Sequence, residues 1–364
     1  MVKEEGIAFN PPIVAEAGVT DTAALTVSEG AGTVVIDSNR LQGNHAGAGD
    51  GGGISLKAIN GADVQASVDQ TTWDKVDVIN NIIVNNVAAW AGGGIALQDA
   101  LKVNIDHNTV ANNDSTATVG QAFPAANRNL SNPQPAGIVA HQHSPALGSL
   151  VGNTNGFSAP LTLVNNIVWH NRSFNWTADY DGNPATADPA LLPKLDVAGQ
   201  VPRYDDFGVI PASLGSLTPV KNYVSLGTLE ADADDIANDT SPFVREYSNG
   251  SRKLASTQNS ASPVFTTAAA FDEAGNNVSV EYGPLGQVRE TFNSTANTAP
   301  VMRGDYHLNT PAAPALNPAV NVGASTPVSV DNLNRDYDRN TRPLVAGTAG
   351  PDIGADERNG TQRP

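Results

Sequence analysis

A pair of asparagines five residues apart recurs four times in one register. The stretch "VDVINNIIVNN" from Val76 carries the pair as Asn81 and Asn86. It aligns without gaps on "VVIDSNRLQGN" from Val34, "VNIDHNTVANN" from Val103 and "LTLVNNIVWHN" from Leu161. The paired positions are Asn39 and Asn44, Asn108 and Asn113, and Asn166 and Asn171. Three residues before the first Asn stands Ile36, Val78, Ile105 or Leu163, and two residues after it Leu41, Ile83, Val110 or Val168. All eight are apolar. The second half of the unit recurs too, as "GGGISL" from Gly51, "GGGIAL" from Gly92 and "AGIVAH" from Ala136.

This pattern restricts the fold sharply. Alternating apolar residues make short strands with one inward face. A single unit cannot bury that face, whereas stacked units bury a continuous core. The spacing from Asn81 to Asn108 is 27 residues, and the others are 42 and 58, which we read as the same coil with inserted loops. The asparagines are expected at corners, where Asn tolerates left-handed backbone and its amide bonds to the Asn above and below. The glycine run is expected at another corner. A phosphate loop is a poor alternative, because no Lys-Ser/Thr and no helical pattern follow it.

The unit resembles the right-handed parallel β-helix repeat of bacterial secreted and cell-surface proteins. "DYHLNTPAAPALNPAVNVGAS" from Asp305 and "DNLNRDYDRNTRPLVAGTAGPDIGADE" from Asp331 resemble the closing segment that ends the coil in that family. The resemblance implies an all-β fold, a right-handed parallel β-helix with long inserted loops. Regular rungs are expected over 1–176, degenerate rungs with large loops over 177–300, and the closing segment over 301–364. Strands are expected at "SPFVREY", "SPVFTTAAAF" and "NNVSVEYGPLG".

Charge narrows the partners. There are 37 acidic and 20 basic residues, a net charge of −17, which disfavours nucleic acid and anionic membrane surfaces. Aromatics are 5% of the chain, so the core must be aliphatic. No apolar run is long enough to insert in a membrane as a helix. Cysteine is absent, which excludes disulfides and thiolate chemistry. The start "MVKEEGIAFNPP" lacks the apolar stretch of an export signal. We read the chain as the C-terminal part of a longer protein, extracellular or on the bacterial cell surface, with its export signal outside this sequence.

Enzymes on this scaffold are chiefly polysaccharide lyases and glycoside hydrolases. Hydrolases resembling polygalacturonase carry Asn-Thr-Asp, Gly-His-Gly and Arg-Ile-Lys, and none of these occurs here. The pairs Asp205–Asp206 and Asp234–Asp235 sit in loop-like sequence. "NIDHN" resembles the Ile-Asp-His segment of pectate lyases, yet the segment belongs to the repeat, and Arg342-Pro343 is not followed by their base motif. No catalytic residue is assigned.

Two metal readings remain open. His141 and His143 in "AHQHS" share a face if the segment is a strand, a spacing that suits two ligands of one transition metal, with His45 as the third. "DYDGN" offers Asp179, Asp181 and Asn183 as a Ca²⁺ loop, although the EF-hand pattern fails at Pro184 and Ala190. The acidic runs Glu230 to Asp235 and Asn334 to Asn340 are of similar kind.

Taken together, the residues and the resemblance lead us to expect a structural or adhesive scaffold. Its loops would meet glycans or other surface proteins, and an exposed end of the coil would allow self-association. The alternatives are a polysaccharide lyase or glycoside hydrolase on the same scaffold, and a metal-binding module at His141 and His143.

Overall fold

The computed structural model describes residues 27–183, 189–195, 203–227, 231, 233–246, 256–257, 304–309, 317–325, 333–343 and 350–358. The strands expected at "SPVFTTAAAF" and "NNVSVEYGPLG", and the "TPAAPAL" turn, lie outside the described residues.

The described chain is mostly short parallel strands stacked in register. The first sheet holds Val34–Asp37, Val76–Ile79, Val103–Asp106 and Thr162–Val164. Across a two-residue corner, the second sheet holds Arg40–Gln42, Ile82–Val84, Thr109–Ala111, Ile167–Trp169, Tyr223–Ser225 and Ile236–Asn238. The third begins with His45–Ala46, Val87–Ala88, Asp114–Ser115 and Arg172–Thr177. The fourth holds Ile54–Lys57, Ile95–Gln98, Ile138–His141 and Phe207–Ile210. The chain visits the four in this order and then returns to the first.

The pairing reproduces the sequence alignment residue for residue. Ile36 pairs with Val78, Val78 with Ile105, and Ile105 with Leu163. Leu41 pairs with Ile83, Ile83 with Val110, and Val110 with Val168. Both rows enter one hydrocarbon core, joined from the fourth sheet by Ile54, Leu56, Ile95, Leu97, Ile138, Ala140, Phe207 and Val209. Each buried side chain of this size contributes about 1.5–3 kcal/mol.

Both corner columns are amide ladders. Asn39 donates its backbone N–H to Asn81 Oδ1 at 2.9 Å, Asn81 to Asn108 at 3.0 Å, Asn108 to Asn166 at 2.9 Å and Asn166 to Asn222 at 2.8 Å. Each of these asparagines sends its Nδ2 to the same oxygen. The second column runs Asn44, Asn86, Asn113, Asn171 by the same contacts. The left-handed residue is not the ladder asparagine but the one before it. Ser38, Asn80, His107 and Asn165 have φ between 55° and 58°. At the second corner Gly43, Asn85, Asn112 and His170 hold the same conformation. Separating the tasks leaves the ladder amide free to point inward.

The glycine runs are corners as expected. Gly51 and Gly92 have φ of 71° and 60°. A Cβ at Gly52 would lie 2.6 Å from the Val87 carbonyl oxygen, and one at Gly94 would lie 2.7 Å from that of Gly137. Backbone approaches too closely there for any side chain.

The described C-terminal residues pack on the outside of the stack. Tyr306, Leu308, Ala319, Ile353 and Ala355 pack with Phe243 against Ile82, Val84, Ala111, Ile167, Trp169 and Tyr223, the outward side of the second sheet. The backbone N–H of Gly354 donates to the Asn165 carbonyl at 2.7 Å. The described parts of this segment therefore lie along the flank of the stack. The physical reason is that these strands are apolar on both sides, and their outer side also needs covering.

Among the described residues beyond 177, Phe207–Ile210, Tyr223–Ser225 and Ile236–Asn238 extend the parallel sheets. Ala190–Pro193 instead pairs antiparallel with Arg172–Thr177. The expected strand in "SPFVREY" forms as Phe243–Arg245, antiparallel to Asp305–Leu308. No helix among the described residues is long and apolar enough to cross a membrane.

Candidate metal centre

His141 and His143 sit where the chain leaves the fourth sheet. Only His141 is in the strand, because Gln142 turns off to bridge Phe157. His141 is buried beside Trp90, with ring centroids 4.7 Å apart. Its Nε2 lies 2.8 Å from Asp50 Oδ2, though not aligned as a hydrogen bond. His143 approaches Asp99 Oδ1 at 3.8 Å and Ser158 Oγ at 3.4 Å, and burial lowers its pKa. The two histidines thus meet two different carboxylates. Asp50 precedes the glycine run and Asp99 sits at a left-handed corner, so neither announced itself in sequence. His45 is exposed on the third sheet and joins no three-ligand group among the described residues.

The "DYDGN" loop follows the third sheet. Asp181 and Asn183 are exposed, and Asp181 Oδ1 accepts the Asn183 backbone N–H at 2.7 Å. Asp179 accepts through its carbonyl from Thr177 Oγ1.

The Asp pairs read as loops have structural work. Asp206 Oδ1 accepts both donors of Asn171, and Asp235 Oδ1 accepts both donors of Asn222. Each ladder therefore ends on a carboxylate. Asp206 is wholly buried, which pushes its pKa up.

The Asp106–His107 pair is interior. Asp106 accepts from Thr162 Oγ1 at 2.7 Å and from the Val164 N–H at 3.1 Å, and burial pushes it up to about 7. His107 is the corner residue, held well below its usual pKa by burial and then by Arg342. Arg342, 1% exposed, donates to His107 Nδ1 at 2.8 Å, to Asn80 Oδ1 at 3.2 Å and to Glu357 Oε2 at 3.3 Å. It also reaches the carbonyls of Asp352, Gly354 and Ala355. These groups bind the covering segment to the corners. All three residues of the lyase-like "IDH", Ile105, Asp106 and His107, are buried in the stack.

A different cluster gathers ligand atoms. His307, Asp338 and Asp356 are the group of three among the described residues whose ligand atoms all lie within 4.8 Å of one another. His307 projects from Asp305–Leu308, Asp338 from the 333–343 loop and Asp356 from the 350–358 stretch. His307 Nδ1 lies 2.6 Å from Asp305 Oδ1, and its Nε2 3.0 Å from Asp338 Oδ2. Asp356 is buried, with Oδ2 accepting the Leu308 N–H at 2.8 Å. The Asp305 hydrogen bond raises His307 to about 9, and burial raises Asp356 to about 6. Asp338 comes from the acidic run Asn334 to Asn340, whose partners lie far away in sequence.

The chain matches no family model, no curated protein and no solved structure.

Proposed function

We propose that the chain is an extracellular scaffold of the bacterial cell surface, a right-handed parallel β-helix whose loops contact glycans or other surface proteins. The observation that carries this reading is the pair of unbroken amide ladders flanking a stacked aliphatic core. Such a stack makes a stiff rod, because every rung is tied to its neighbours at two corners as well as along its strands. Loops leave the coil between the fourth and first sheets, at 58–75 and 142–161. They also leave from the third, at 116–137. A rod that displays loops suits adhesion or spacing. The net charge of −17 favours neutral or cationic partners over nucleic acid.

Binding to a glycan panel tests the reading, run together with assays for unsaturated products and new reducing ends. Saturable binding to a glycan or surface protein without product supports the scaffold. Product formation would replace it with a polysaccharide lyase or glycoside hydrolase. Among the described residues, the strands Val34–Asp37, Arg40–Gln42, His45–Ala46 and Ile54–Lys57 are all sheet edges, which supports self-association through that end. Sedimentation over a range of concentrations checks it.

A further inference from the structure

We propose that His307 Nε2, Asp338 and Asp356 bind one divalent transition metal of the Zn²⁺ class, and that this ion clasps the covering segment together. The ligand atoms already lie within 4.8 Å of one another, although they come from three separate stretches of chain. His307 is oriented as a metal ligand is, with Nδ1 held by the Asp305 carboxylate and Nε2 turned toward the two acids. That Nε2 is shielded from solvent and has no aligned hydrogen bond.

Charge points the same way. Asp305, Asp338 and Asp356 surround one imidazole; with Arg40 near Asp305, a neutral His307 leaves two negative charges that a dication would balance. One nitrogen and two carboxylate oxygens suit Zn²⁺, Mn²⁺ or Co²⁺ better than Ca²⁺, which takes six to eight oxygens. Asp338 is half-exposed, so water can reach the ion and complete its coordination. The consequence is mechanical. The ion would tie the Asp305–Leu308 strand to the 333–343 loop and the 350–358 stretch, all of which cover the second sheet.

Metal content of the whole chain after Zn²⁺ loading and dialysis, with Co²⁺ absorption as the spectroscopic readout, tests the proposal. Wild type should hold about one equivalent and give a Co²⁺ spectrum of low coordination number. His307→Gln and Asp338→Asn should lose binding at least tenfold, and Asp305→Asn about 10–100-fold. His141→Ala/His143→Ala should bind as wild type does. Asp338 lies at the surface, so Asp338→Asn keeps the fold and isolates the ligand role. Zn²⁺ should also slow hydrogen exchange at 305–308 and 350–358 in wild type but not in Asp338→Asn. The proposal is overturned if wild type takes up neither Zn²⁺ nor Co²⁺, leaving His307 as an ion-paired imidazolium. It is equally overturned if uptake survives both ligand variants, or follows His141 and His143 instead. Uptake without slower exchange would overturn the clasp.

Discussion

The two sides of the second sheet are buried by opposite means. Inward, Ile83, Val110, Val168 and Val224 enter a core built mainly from the repeated rows of the sheets. Outward, Ile82, Val84, Ala111, Ile167 and Trp169 meet Tyr306, Leu308, Ala319, Ile353 and Ala355, which repeat nothing. The inner side is held by copies of one contact. The outer side is held by single contacts that each occur once, such as Arg342 at His107 and Asn80. A lesion inside should therefore travel the length of the stack, whereas a lesion outside should stay local.

The largest expected effect breaks the inner side. Ile105→Asp puts a carboxylate into hydrocarbon with no partner, a cost of several kcal/mol against a typical total of about 5–15. Loss of the cooperative thermal transition is expected, and a variant melting within a few degrees of wild type would show that Ile105 does not carry the core. Next is Arg342→Met, which leaves Glu357 and its neighbours buried without their cation. About 3–5 kcal/mol should be lost. Hydrogen exchange should speed up at 350–358 while residues 76–84 stay protected. Simultaneous opening of both regions would erase the distinction between inner and outer sides.

Asn108→Leu removes one member of a ladder and orphans donors on Asn81. It should lower stability by about 1–3 kcal/mol, whereas Asn127→Leu, at an exposed position, should change little. Equal melting temperatures for the two would remove the ladder as a source of stability. The chemically mildest change concerns Asp106, and it is read across pH. Its pKa is raised when folded, from 3.8 to about 7, so the native state holds a proton that the unfolded chain has released between those values. Stability from this group therefore falls as pH rises from about 4 to 7, by up to about 1.4 kcal/mol per pH unit, and is level above. Asp106→Asn should flatten that slope and leave the variant more stable than wild type at pH 8. Parallel pH–stability curves for the two proteins would contradict it.

What the sequence disclosed follows the same division. The inward rows and both asparagine columns were legible because repetition writes each residue four times in one register. The left-handed position was misplaced by one residue, since Ser38, Asn80, His107 and Asn165 share conformation but not chemistry. That Tyr306, Leu308, Ile353 and Ala355 lie against the outer side of the second sheet was not legible. Alternation marks which residues face out and does not say what meets them. The His307 group was missed for the same reason. Asp338 and Asp356 reach His307 only through the tertiary fold, and the histidines that do sit close in sequence, His141 and His143, were drawn to Asp50 and Asp99.

The ladders also have a grammar. An asparagine at a corner accepts from the rung behind and passes two N–H groups to the rung ahead, so it can be read as "continue". An aspartate that receives the same two donors accepts them but has no side-chain N–H to pass on, so it reads as "stop". Asp235, which precedes Ile236 as Asn222 precedes Tyr223, is such a full stop, and Asp206 closes the other column from the residue before the fourth-sheet strand Phe207–Ile210. The punctuation has its own expense, for Asp206 is buried and its acid form is favoured. A coil built this way has a sense of direction, and its corner columns can be lengthened or ended by editing single letters without touching the core between them.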